Sequence, residues 1–147
     1  MKKLLLITVP MISILLFIGC ATTLMTPQNP TEEAFRDIYQ RYRSDLILTG
    51  SSTYTVRAGD TLAAIARANY GDGFYYPIIM LASSNVVLDP DRIEPGLQLT
   101  IPDLQRNLNN ARARASIKSF FMEIATTEEN RNRRETAAGI RSRADAW

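Results

Sequence analysis

Two short runs of alternating residues limit what this chain can become. Tyr54 and Val56 alternate with Thr55 and Arg57, and Leu97, Leu99 and Ile101 alternate with Gln98 and Thr100. A period of two places each apolar set on one face of a strand. Between them the pattern is helical. Gly59-Asp60 marks a turn, and Asp60 stands where a carboxylate caps a helix running through Leu62, Ile65 and Ala66 to about Tyr70-Gly71. A second helix is expected from Pro77 through Ile78, Ile79 and Ala82, before Pro95-Gly96 turns the chain into the second strand. Strand, helix, helix, strand closes into a unit only when the two strands pair. The expected fold class is therefore α+β: a βααβ unit over residues 53–103, with a two-stranded antiparallel sheet carrying both helices on one face. One apolar layer is marginal for a unit of about fifty residues. It has no room for all of Ile78, Ile79, Met80, Leu81, Val86, Val87 and Leu88, so a helix over 30–48 or 104–125 is expected to cover that face, the alternative being a partner protein.

The flanks supply candidates. In residues 29–50, Asn29, Pro30 and Glu32 sit as a cap, a first helical position and a capping-box partner. Phe35, Ile38, Tyr39, Tyr42 and Leu46 follow at helical spacing, with Gly50 as the stop. Residues 104–147 form a C-terminal helical region. Leu104, Leu108, Ala111 and Ala115 mark one stripe, and Ile117, Phe120, Phe121 and Ile124 another, shifted in register. The pattern weakens after Thr126-Thr127, which predicts one long helix and then a shorter one. Charge is divided between the parts: residues 54–103 carry three Arg against six acids, and residues 104–147 carry nine Lys/Arg against five acids. The arginines from Arg131 to Arg143 read as a solvated helix face, and a basic tail on a near-neutral chain is weak evidence for nucleic acid.

The first residues, MKKLLLITVPMISILLFIGC, have the form of a targeting segment. Lys2 and Lys3 precede an apolar stretch, Leu4 to Ile18, shorter than the roughly 20 residues of a spanning helix. Its end, Phe17-Ile18-Gly19-Cys20, resembles a bacterial lipobox, with Phe17 where Leu is most common. The resemblance implies a lipoprotein signal peptide over residues 1–19 and an acylated Cys20 as mature N-terminus. Cys20 is the only cysteine, so no disulfide competes for it. Two or more acyl chains hold a protein stably on a membrane. Ala21 follows rather than Asp, which in a two-membrane bacterium favours the periplasmic side of the outer membrane. Residues 20–28 then read as a tether, its eight residues after Cys20 reaching roughly 26 Å.

The centre carries a second resemblance. Tyr54-x-Val56-x-x-Gly59-Asp60-Thr61-Leu62-x-x-Ile65-Ala66, Tyr70-Gly71, and Asp89-Pro90-Asp91-x-Ile93-x-Pro95-Gly96-x-x-Leu99-x-Ile101-Pro102 together resemble the LysM module. The family's second helix commonly ends at Asn, where Ser83 or Ser84 stands here. The resemblance implies a βααβ fold that binds N-acetylglucosamine glycans, chiefly peptidoglycan and chitin. It places the glycan groove between Gly59, Asp60, Thr61 and Leu62 on one side and Asp91, Arg92 and Ile93 on the other. Such a sugar is uncharged, so backbone hydrogen bonds and apolar contact suffice, and neither cofactor nor metal is expected. The chain has no histidine and its one thiol is expected to be acylated, which leaves no Ser–His or Cys–His pair for nucleophilic catalysis. Asp89, Asp91 and Glu94 match no full calcium loop, and turn chemistry is the expected use of that stretch. The expected function is non-catalytic peptidoglycan binding by a membrane-anchored envelope lipoprotein. The alternative is a structural adaptor that recruits an envelope protein instead of glycan.

Overall fold

A computed structural model of the chain describes residues 30–147. The expected signal peptide over 1–19, the expected acylation site Cys20, the expected tether and the expected Asn29 cap lie outside the described residues.

The paired strands are β1 (Ser52–Thr55) and β2 (Gln98–Ile101), antiparallel with Tyr54 opposite Leu99. The ladder continues past β1, where Val56 N–H donates to Leu97 O at 2.9 Å and Gly96 N–H donates to Val56 O at 2.8 Å. Between the strands run α2 (Leu62–Tyr70) and α3 (Tyr76–Ala82), joined by a 3-10 turn at Gly73–Tyr75. Gly71 ends α2 in a left-handed conformation at φ 82°, a backbone that glycine adopts without strain. The free edge of β2 is closed from within. The buried Ser83 hydroxyl at the end of α3 accepts from Thr100 N–H at 2.9 Å. Ser83 thus stands at the helix end and fastens it to the sheet. The observed order is the expected βααβ unit with flanking helices.

Every residue of α3 is buried, and Ile78, Ile79, Met80 and Leu81 have no exposed surface. A helix that is apolar on all sides must be covered on all sides. The sheet and α2 cover part of it, and α5 (Ala111–Asn130) packs on the remainder with α1 (Pro30–Tyr42) beyond. Phe35, Ile38 and Tyr39 of α1 join Ile117, Phe120, Phe121 and Ile124 of α5 in the same core. The Tyr39 and Phe120 rings lie 6.0 Å apart. After α5, α6 (Arg134–Asp145) folds back along it. Gly139 permits that approach, because a Cβ there would stand 2.5 Å from the Phe74 ring. Trp147 stacks on Tyr75 at 6.1 Å and meets Phe121 edge-on at 4.8 Å.

Three boundaries differ from expectation. The first helix ends at Tyr42, followed by a 3-10 turn at Arg43–Asp45, rather than reaching Gly50. Asn107 of α4 (Leu104–Asn109) explains this: its buried side chain accepts from Ile47 N–H at 2.8 Å and donates to Ile47 O at 2.9 Å. Paired in this way, Ile47 is held outside the helix, and Leu46 before it is already extended at φ −74°, ψ 131°. The second boundary is the register shift in the C-terminal stripe, which is a helix break. Asn110 caps α5 by accepting from Ala113 N–H at 3.0 Å. The third lies beyond Thr126-Thr127. Those threonines stay helical with their hydroxyls donating to Met122 O and Glu123 O, and α5 continues to Asn130.

A fragment of residues 52–103 would expose the α5-facing side of α3. Compared with residues 30–147, it should melt lower and aggregate, since fully exposing each such aliphatic side chain forfeits about 1.5–3 kcal/mol. Scanning calorimetry with light scattering on both fragments reads this out. A fragment as stable and soluble as the longer chain would show that the flanks are not part of the core.

Candidate functional site

The first loop is built by Asp60. Its carboxylate accepts from Arg57 N–H and from Tyr54 Oη–H, both at 2.8 Å. The Arg57 amide, then the Tyr54 hydroxyl, hold the Asp60 carboxyl below the usual carboxylate range. The same bond raises the Tyr54 phenol. Asp60 therefore fastens the turn. The helix cap lies one residue later than expected, at Thr61, whose Oγ1 accepts from Ala64 N–H at 3.1 Å. Gly59 sits at φ 87° with nothing within 4 Å of a would-be Cβ, so the backbone there is open to approach.

The second loop is an Asp-fastened turn. Asp89 Oδ1 accepts from Asp91 N–H at 3.1 Å, and Asp89 O accepts from Arg92 N–H at 3.1 Å. Among the described residues no three acidic, histidine or cysteine side chains converge as metal ligands, and Asp91 is committed elsewhere.

The two loops meet in one cavity of about 190 Å³. Thr61, Leu62 and Ala63 line one side, Pro90 and Asp91 the other, and Tyr76 of α3 also contributes. Of the seven residues implicated by the groove, Thr61, Leu62 and Asp91 line this cavity. Gly59, Asp60, Arg92 and Ile93 lie on the same two loops but do not line it.

The rest of the lining comes from the flank. Glu128, Arg133 and Thr136, at the α5–α6 corner, form a third side. Arg133 forks Asp91 through both Nη atoms at 2.7 Å, and Arg131 approaches Asp91 at 3.0 Å. Glu128 is 1% exposed. Arg133 Nε stands 2.8 Å from its Oε2 as an ion pair, without the alignment of a hydrogen bond. Burial raises the Glu128 carboxyl, and Arg133 and Arg131 oppose that rise. Asn132, between the arginines, takes a left-handed φ of 61°, a conformation Asn tolerates better than most side chains. The reading of Arg131 to Arg143 as a solvated face holds for Arg134 and Arg141, which stay on the outer surface, and fails for the other three. Arg131 and Arg133 pair with Asp91, and Arg143 Nε donates to Asp72 at 2.6 Å. Motif reasoning missed Glu128, Arg133 and Thr136; the opposite charges of residues 54–103 and 104–147 were the available signal.

Residues 54–102 match the family model described as LysM domain. This segment is a LysM domain. LysM domains in general bind glycans of the peptidoglycan and chitin type. Among curated proteins, the chain is 44% identical over 55 residues to the Potassium binding protein Kbp of Escherichia coli O6:H1, covering 37% of each chain. It is 46% identical over 54 residues to an uncharacterized protein of Deinococcus radiodurans, covering 37% of this chain and 21% of that one. It is 46% identical over 56 residues to Esterase Rv1288 of Mycobacterium tuberculosis, covering 38% of this chain and 12% of the esterase. The chain therefore spans little more than a third, or less, of the curated relatives it matches. No solved structure matches it.

Arg133 and Arg131 hold the Asp91 carboxyl below its ordinary value. An acid with a depressed folded pKa adds stability above its unfolded pKa and loses it as pH falls through the folded one. Asp91→Asn should thus lower stability at pH 7 by about 0.5–1 kcal/mol, the range for a partly exposed pair. The gap from the parent protein should narrow below about pH 4, the ordinary Asp range. Thermal melts of both proteins between neutral and acid pH measure it, and a pH-independent gap would mean that the pair contributes no charge stabilisation.

Proposed function

We propose that this protein holds peptidoglycan without cleaving it, as an envelope lipoprotein anchored through acyl chains on Cys20. The observation that carries the glycan reading is the meeting of the 59–63 and 89–93 loops in one cavity of a LysM domain. The cavity offers apolar surface from Ala63 and Pro90 and hydrogen-bonding groups from Thr61 and Asp91. That combination suits an acetylated amino sugar, which is uncharged and carries a methyl group, ring faces and hydroxyls. One small site binds weakly, because association costs several kcal/mol before any contact contributes. Anchoring beside a polymer of repeated sugars raises the effective concentration and compensates. The anchor reading rests on the lipobox-like end of the first twenty residues and on Cys20 as the only cysteine. In a two-membrane bacterium the protein would face the periplasm from the outer membrane.

A second reading is an adaptor that recruits an envelope protein. It is favoured by the engagement of Asp91 with Arg133 and Arg131, which leaves fewer groups for a sugar.

Residues 21–147 should be retained by purified sacculi and released by N-acetylglucosamine oligomers. Retention should fall at least about tenfold in a Thr61→Asn, Ala63→Gln double variant, which crowds the two exposed lining residues of the first loop, the scale expected for lost contacts in a small site; Asn keeps the helix cap. Undiminished retention, or none in the parent protein, supports the adaptor. For the anchor, metabolic labelling with a fatty-acid analogue should mark the full chain and fail to mark Cys20→Ser. Equal labelling of both would remove the lipoprotein reading.

A further inference from the structure

The cavity has a side that residues 54–102 do not supply. The α5–α6 corner is held there by the Arg133 fork on Asp91, the buried Glu128 behind it, and the close packing of Gly139 on Phe74. Ala137, Ile140 and Ala144 of α6 are fully buried as well. Flanked on three sides, the space of about 190 Å³ is below the roughly 300–1,000 Å³ of ordinary ligand pockets. It has room for one sugar ring, with Arg133 and Thr136 of the α5–α6 corner standing along its third side.

We infer that the α5–α6 corner converts the LysM cleft into an end pocket that takes the terminal N-acetylglucosamine of a glycan chain rather than its interior. This rests on the glycan reading above and adds Arg133 and Thr136 to the site. The chemistry of the lining agrees. Ala63 and Pro90 offer apolar surface for the acetyl methyl and a ring face, over the buried Leu62. Thr61 Oγ1 is occupied as an acceptor by Ala64 N–H, which leaves its hydroxyl proton to donate. Arg133 gives Asp91 one N–H from each Nη, so each keeps a second for a sugar carbonyl or hydroxyl. A terminal sugar presents hydroxyls that the interior of a chain has committed to glycosidic bonds, and this mixed lining can use them. Three carboxylates, Asp89, Asp91 and Glu128, already face the two guanidiniums of Arg131 and Arg133. An uncharged sugar adds nothing to that load, whereas one bearing its own carboxylate would bring a further anion.

Calorimetric titration of residues 21–147 with the disaccharide and the hexasaccharide of N-acetylglucosamine tests this. An end pocket predicts hexasaccharide affinity within about twofold of the disaccharide, whereas an open groove adds subsites and gains about tenfold for each 1.4 kcal/mol of further contact. Thr136→Phe fills the pocket from α6 and leaves residues 54–102 untouched. It should weaken the disaccharide at least about tenfold, with an unchanged melting temperature as the check on folding. Affinity that climbs with chain length, or that ignores Thr136→Phe, overturns the end pocket while leaving glycan binding intact. Binding of neither oligomer, with no sacculus retention, overturns both.

Discussion

An all-round apolar helix inside a two-stranded unit is the constraint on which the remaining architecture depends. The seven residues of α3 are all buried, yet the βααβ unit offers only one sheet face and one partner helix. Four large aliphatic side chains without exposed surface represent several kcal/mol of transfer free energy, comparable to the whole stability of a small domain. The unit therefore recruits its flanks. Helix α5 covers α3, α1 covers α5, and Phe120 is enclosed between them. A sequence-matched module of 49 residues, 54–102, is thus the inner part of a larger packing unit.

Once α5 and α6 are fixed by burial, ion pairs orient the corner between them. Residues 54–103 are acidic and residues 104–147 basic, and their opposite charges meet where α5 turns into α6. Arg131 and Arg133 reach Asp91, Arg143 reaches Asp72, and Glu128 neutralises the arginines from behind. Exposed ion pairs individually contribute little, so they do not hold the fold. They orient a corner that apolar packing has already brought close. Glu128 differs, because a buried carboxylate without partners costs far more than an exposed one. Its burial is compatible with folding only while the arginines stand beside it.

The sequence was legible wherever a local rule governed the backbone. The second strand, the glycine ending α2 and the helix through Leu62, Ile65 and Ala66 appear where their spacing puts them, while the first strand starts two residues early, at Ser52, with its ladder running on to Val56. It was less legible where a distant side chain outvoted local preference. Asn107 binds the backbone of Ile47 from 60 residues away and stops a helix whose own residues would have continued it. The cap on α2 moved from Asp60 to Thr61 because Tyr54 and Arg57 compete for the Asp60 carboxylate. In the site, motif residues identify two sides of the cavity. The third side belongs to Glu128, Arg133 and Thr136, which no short pattern connects to Thr61.

This division bears on how a binding module can be specialised. Within residues 54–102 the loops are fixed by Asp60, Thr61 and Asp89, each turning its side chain back onto local amides, so their geometry leaves little to vary. The surface across the cleft is free of that duty. A helical corner placed there alters depth, charge and access without disturbing a single turn of the module. Arg133 illustrates the economy: one side chain satisfies Asp91, stands against Glu128 and faces the cavity. Residues that dock the flank also shape the space beside Thr61, so in this chain the packing of the C-terminal helices and the selectivity of the cleft are the same physical problem.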